Sequence, residues 1–129
     1  MSGQKILLVD DMLINLKVAC AVLCHDGYDV ETAQDGEEAL QMLRDHRPDL
    51  IVSDIQMPKM DGLQLARAVK QDSELRKIPL IALTAFSLRV NEAEAFAAGF
   101  DGYMTKPIDT RTFGDQIREY LRLAKKTSD

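Results

Sequence analysis

Apolar residues fall along the chain in short bursts, separated by stretches with helical spacing, and the two patterns alternate five times. Lys5-Ile-Leu-Leu-Val9, Leu50-Ile-Val52 and Leu80-Ile-Ala-Leu83 carry no polar alternation, which is the habit of strands buried on both faces of a parallel sheet. Tyr28–Ala33 reads as a more polar strand and Gly102-Tyr-Met104 as a short one. After Asp10-Asp11, a helical pattern places Leu13, Leu16, Cys20 and Leu23 on one stripe, and Gly27 falls where a left-handed cap would end it. A second helix starts at Asp35-Gly36, runs through Ala39, Leu40 and Leu43, and stops before Pro48, because a residue preceding proline is pushed out of the helical region. A third opens at Asp61-Gly62 and carries Leu63, Ala66 and Val69, and a polar connection through Asp72, Ser73, Glu74 and Arg76 then leads to Pro79. The segment Ser87–Ala98 is rich in Ala with weak amphipathic character and is ended by Gly99. The last helix sets Phe113, Ile117, Tyr120 and Leu121 on one stripe before a polar end that should fray. Strict strand–helix alternation predicts an α/β fold with a parallel sheet and helices on both faces.

Length and charge narrow the picture further. The 129 residues suit one domain with a single well-packed core, and no linker, repeat or low-complexity segment interrupts them. Sixteen basic against twenty-one acidic side chains leave a net charge of −5, which argues against non-specific binding to nucleic acid or an anionic membrane. No apolar stretch has the length of a membrane span, and the N-terminus lacks a signal-peptide hydrophobic region, so a cytoplasmic location is expected. Cys20 and Cys24, four apart, could be a metal or redox pair. The reading favoured here is two small apolar side chains on or near a buried helix face, since free Cys is so often buried. No second Cys or His pair has zinc spacing, and His25 and His46 stand alone near predicted helix ends.

The candidate chemistry sits at strand ends. In an open parallel sheet, ligands bind in the crevice beyond the carboxyl ends of the strands. That edge collects Asp10, Asp11, Asp54, Thr84 and Lys106. Taken singly each has a structural reading, as a helix cap, a turn residue or a solvated cation. Taken together, three converging carboxylates would repel one another unless a hard divalent cation such as Mg²⁺ neutralised them. A carboxylate can act as nucleophile toward phosphorus and form an aspartyl phosphate. Phosphoryl transfer asks the protein mainly for positioning and charge neutralisation. An ammonium, a hydroxyl and a metal ion, one for each phosphoryl oxygen, would supply both.

Ile6-Leu-Leu-Val-Asp-Asp11, Asp54 followed by Met57-Pro-Lys-Met-Asp-Gly62, Leu83-Thr84-Ala85 and Tyr103-Met-Thr-Lys106-Pro107 occur in an order and at separations that fit together. With them the sequence resembles the receiver domain of two-component response regulators over nearly its whole length. The resemblance implies a flavodoxin-like, doubly wound (βα)5 fold with strand order 2-1-3-4-5. It also implies a single receiver domain over residues 1–129, core about 4–124, with no output domain. It makes Asp54 the phosphoacceptor and assigns Asp10 and Asp11 to the acidic Mg²⁺ pocket. Asp11 and Asp54 would be side-chain ligands and the Gln56 carbonyl a backbone one. Lys106 would pair with the phosphoryl group, and the bond to Pro107 would be cis. Thr84 and Tyr103 would form the switch, acting on a face made of the fourth helix, fifth strand and fifth helix. The expected partners are a histidine kinase or histidine phosphotransfer protein and a downstream protein target, with no direct nucleic acid and no membrane. The state would be monomer or phosphorylation-dependent dimer. Gln56 and Phe86 would stand at the mouth of the site, where they could control access of water to the acyl phosphate. The Thr-Ala-Phe and Lys-Pro-Ile-Asp segments look more like stand-alone and hybrid-kinase receivers than those fused to winged-helix DNA readers.

Two other classes make distinct demands. A phosphatase with an aspartyl nucleophile would want a second catalytic carboxylate two residues later, where this chain has Gln56. A phosphorylation-independent scaffold would be expected to lose Asp54, Thr84 or Lys106, and all three are present.

Overall fold

A computed structural model describes residues 4–55, 57, 60–85, 92–106 and 108–127, with backbone alone at 85, 92, 106 and 124–127. The elements follow the predicted alternation: β1 (Lys5–Val9), α1 (Leu13–His25), β2 (Asp29–Ala33), α2 (Gly36–Asp45), β3 (Leu50–Ser53), α3 (Gly62–Gln71), β4 (Leu80–Ala85), α4 (Glu92–Ala98), β5 (Gly102–Lys106) and α5 (Phe113–Thr127). All strand pairs are parallel and the order is β2-β1-β3-β4-β5. The chain therefore moves outward from β1 to β2, returns across β1 to β3, and continues the other way. β1 and β3 flank the point where the direction reverses.

The apolar runs are continuous because each strand feeds two cores. Successive strand side chains point to opposite faces. Leu7, Val9, Ile51, Leu80 and Ala82 accordingly join Ala39, Leu43, Leu65, Ala66, Val69, Ala95 and Ala98 on one face, under α2, α3 and α4. Ile6, Leu8, Leu50, Val52, Ile81 and Leu83 join Leu16, Ala19, Leu23, Phe113, Ile117 and Leu121 on the other, under α1 and α5. Each fully buried Leu or Ile contributes on the order of 1.5–3 kcal/mol, which makes the central strands the rigid floor of the molecule.

Capping fixes where the helices begin. Asp35 accepts from the Glu38 backbone N–H at 2.8 Å, and Glu38 reaches back to the Gln34 N–H at 2.6 Å. Asp61 and Gln64 form a reciprocal capping box at 2.9 and 3.0 Å. Gly27 and Gly99 have φ of 92° and 121°, the left-handed region expected of the glycines that end α1 and α4.

Four details differ from the sequence expectation. Leu13 is 56% exposed, and Ala19 takes the buried place beside Leu16 and Leu23. The first turn of α1 comes straight after the sheet edge and finds no apolar layer beneath it. In α3 it is Leu65 rather than Leu63 that is fully buried. The connection between α3 and β4, polar in sequence, contains a 3-10 turn, Leu75–Lys77, and buries Leu75 and Ile78. β4 continues one residue past Thr84, and β5 runs on to Lys106.

Candidate functional site

The register of the central strands builds the site. Val9 pairs with Ser53, so Asp10 and Asp54 emerge together, each one residue beyond its strand. Their backbones remain tied to the sheet: the Asp54 N–H donates to the Val9 carbonyl at 2.8 Å, and the Asp10 N–H donates to that of Ala33 at 3.0 Å. One carboxylate oxygen each from Asp10, Asp11 and Asp54 lie within 4.8 Å of one another. Asp10 and Asp54 are only 5% and 7% exposed, whereas Asp11 is open to solvent. Among the described residues this is the one group of three or more His, Cys, Asp or Glu side chains that could hold a metal.

Fixed dipoles orient the two buried carboxylates. The Met12 backbone N–H and the Asn15 side-chain amide donate to Asp10 at 2.9 and 3.2 Å, one on each oxygen. The Ile55 N–H donates to Asp54 Oδ1 at 2.7 Å. Ser53, fully buried, donates its hydroxyl to the Asp54 carbonyl at 2.8 Å. Asn15 and Ser53 were not singled out from the sequence. For Asn15 a signal existed, since a polar residue in the first turns after Asp10-Asp11 faces back toward them. Ser53 is a buried polar residue inside an apolar run, and its partner is its neighbour's backbone, which no side-chain pattern reports.

The loop behind Asp54 is pinned by α3. The Gly62 N–H donates to the Ile55 carbonyl at 2.7 Å. A side chain at Gly62 would run into the Asp54 carbonyl oxygen and stand 2.7 Å from the Ile55 Cα. Glycine is required here for close approach of two backbones.

On the other side of the crevice Thr84 is 0% exposed, and its hydroxyl has no hydrogen-bond partner among the described residues. The pairing of Thr84 with Thr105 and of Ala85 with Lys106 brings the Lys106 backbone to the same edge. Tyr103 is half-buried in β5 beside Ala82 and packs against the α2/α3/α4 core. The Lys106 side chain, Gln56, Phe86 and Pro107 lie outside the described residues, and with them the expected phosphoryl contact, backbone ligand, mouth residue and cis bond.

Three carboxylates in one crevice make a hard, oxygen-only donor set, which matches Mg²⁺ rather than a soft metal. Carboxylates held this close repel one another when ionised, and a divalent cation among them would relieve that repulsion.

Comparison with known proteins agrees with this arrangement. The response regulator receiver domain family matches residues 6–118. The polar-differentiation response regulator DivK of Brucella anthropi is 38% identical over 118 residues, spanning 92% of this chain and 96% of that protein. The chemotaxis response regulator CheY4 of Vibrio cholerae superposes with a TM-score of 0.85 at 33% identity, over 92% of this chain and 99% of that one. The receiver domain of the sensor histidine kinase PA1611 of Pseudomonas aeruginosa gives 0.85 at 31% identity, covering 94% and 99%, and holds a magnesium ion in its active-site cleft.

Proposed function

The chain belongs to the receiver-domain family of two-component response regulators, and on that footing we propose that it is a phosphoacceptor switch in which Asp54 takes a phosphoryl group in a Mg²⁺-dependent reaction. The observation that carries the reading is the convergence of the Asp10, Asp11 and Asp54 carboxylates within 4.8 Å at the ends of β1 and β3, beside a buried Thr84 hydroxyl that has no partner among the described residues.

The donor is a phosphohistidine of a kinase or phosphotransfer protein. An Asp54 oxygen attacks phosphorus, the histidine N–P bond breaks, and the imidazole leaves with its electron pair. The Ile55 N–H on Asp54 Oδ1 fixes the orientation of the carboxylate that makes the attack. Asp10, Asp11 and Asp54 would hold Mg²⁺, which supplies charge neutralisation for the incoming phosphoryl group. The Thr84 hydroxyl, with no donor or acceptor role among the described residues, is available to donate to a phosphoryl oxygen, and Lys106 at the end of β5 pairs with another.

Phosphorylation then biases a two-state element. When Thr84 turns toward the new acceptor it vacates volume between β4 and β5, and Tyr103 rotates toward it. α4 is a short helix that buries only Ala95 and Ala98 in its described part while leaving Phe96 exposed. So little apolar burial suits a segment that shifts easily. The face formed by α4, β5 and α5 would carry the signal to a downstream protein.

The test is an intact-mass spectrum after incubation with acetyl phosphate and Mg²⁺, alongside Asp54→Asn. The expected result is one added phosphoryl group that requires Mg²⁺ and is absent in the variant. Labelling that persists in folded Asp54→Asn would overturn the assignment.

A further inference from the structure

We propose that Cys20 and Cys24 form a second ion site, on α1, that binds a soft monovalent cation of the Cu⁺ class through two thiolates. Cys20 lies near the buried face of α1 as the sequence pattern suggests, but Cys24 does not. Cys24 is exposed and Cys20 half-buried, and the two sulfurs are turned toward each other at 3.4 Å. Residues four apart on a helix have Cβ atoms about 5–6 Å from one another, so rotation of either side chain opens the sulfurs to span an ion without moving the backbone. The backbone is well held. Leu16, Ala19 and Leu23 anchor α1 to its core, and Cys20 packs against the same cluster.

The donor set selects the ion. Among the described residues no third His, Cys, Asp or Glu completes a metal-binding group at this pair. Zn²⁺ asks for four ligands in tetrahedral array, and Mg²⁺ or Ca²⁺ for oxygen. Two sulfurs alone suit a soft ion content with two ligands, and thiolates favour Cu⁺ on softness. The chain thus presents two chemically orthogonal ion sites, a hard one at the sheet edge and a soft one on α1.

The reaction needs no oxidant. Two thiols and one monovalent cation give a bis-thiolate complex of charge −1, with two S–M bonds formed, two S–H bonds broken and two protons released. Burial and the neighbouring Cys24 hold the Cys20 thiol above the usual range, so proton release makes binding tighten as pH rises.

The experiment is a competition under anaerobic, reducing conditions with Mg²⁺ in excess, in which Cu⁺ is offered as a chromogenic bis-chelate. The full chain should withdraw copper up to one equivalent, with ultraviolet thiolate-to-copper absorption, and at a chelate excess that leaves transfer partial the fraction withdrawn should rise with pH. Cys20→Ser and Cys24→Ser should each lose that equivalent, and Asp11→Ala should keep it. No withdrawal by the folded wild-type protein, or withdrawal that survives in the Cys20→Ser/Cys24→Ser variant, would overturn the site. Cys24→Ala serves as a second single variant, because the exposed position tolerates truncation and circular dichroism reports whether the fold is intact. Retention of the full equivalent in folded Cys24→Ala would likewise overturn it.

Discussion

Thr84→Val should make the unphosphorylated protein more stable while impairing its response. The side chain is 0% exposed and its hydroxyl has no partner among the described residues. Burying an unsatisfied hydroxyl costs about 1–3 kcal/mol. Val has nearly the same shape and removes that cost, and its extra apolar surface adds up to roughly 0.8 kcal/mol. The expected gain is about 1–3 kcal/mol, or about 3–5 °C in Tm per kcal/mol for a chain of this size. Urea unfolding followed by far-ultraviolet circular dichroism, without Mg²⁺, should show a higher midpoint at unchanged slope. With Mg²⁺ and beryllofluoride as phosphoryl mimic the order should narrow or invert, because wild-type Thr84 then gains a charge-assisted hydrogen bond of about 1.5–3 kcal/mol. On the proposed function, a hydroxyl without a partner among the described residues is stored free energy that phosphorylation would release, a site giving up resting stability for switching. A Val variant no more stable than wild type in the absence of the mimic would refute the reasoning, since it would mean that the hydroxyl is already bonded at rest.

The remaining predictions concern other parts of the chain. Gly62→Ala should destabilise by about 1–3 kcal/mol, the usual cost of overpacking, and slow Asp54 labelling in the mass assay, because the new methyl group would press on the Asp54 and Ile55 backbones; wild-type stability in urea would contradict the close approach. Mg²⁺ at ten times its Kd should stabilise the wild-type protein by about 1.4 kcal/mol, and Asp11→Ala should lose most of that at the same concentration, read as a Tm shift in calorimetry. In alkylation by iodoacetamide with peptide mapping, Cys24 should react before Cys20 at neutral pH. The Cys20 rate should catch up only as pH rises, since its thiol is held protonated by burial and by Cys24. Equal rates at neutral pH would count against that environment.

Much of this protein is written in local pattern. The two-sided burial of β1, β3 and β4 was legible because a strand feeding two cores has no polar face to interrupt its apolar run. The helix boundaries at Gly27, Asp35, Asp61 and Gly99 were legible because caps and left-handed turns are chosen by backbone geometry within a few residues. The strand-end positions of Asp10, Asp11, Asp54, Thr84 and Lys106 followed from the alternation, and the family resemblance supplied the strand order and the roles proposed for these residues. The tertiary structure decided what depends on distant neighbours. The first turn of α1 overhangs the sheet, so Leu13 is exposed although it shares a stripe with Leu16. The connection after α3 buries Leu75 and Ile78 because it returns across the core. Asp10 and Asp54 meet because Val9 and Ser53 share a register, and a register is a relation between two strands that neither strand contains. The Thr84 hydroxyl, unpaired among the described residues, and the facing thiols of Cys20 and Cys24 belong to the same class. Sequence can place a polar atom on an element, but whether it finds a partner is settled only when every other element has been packed around it.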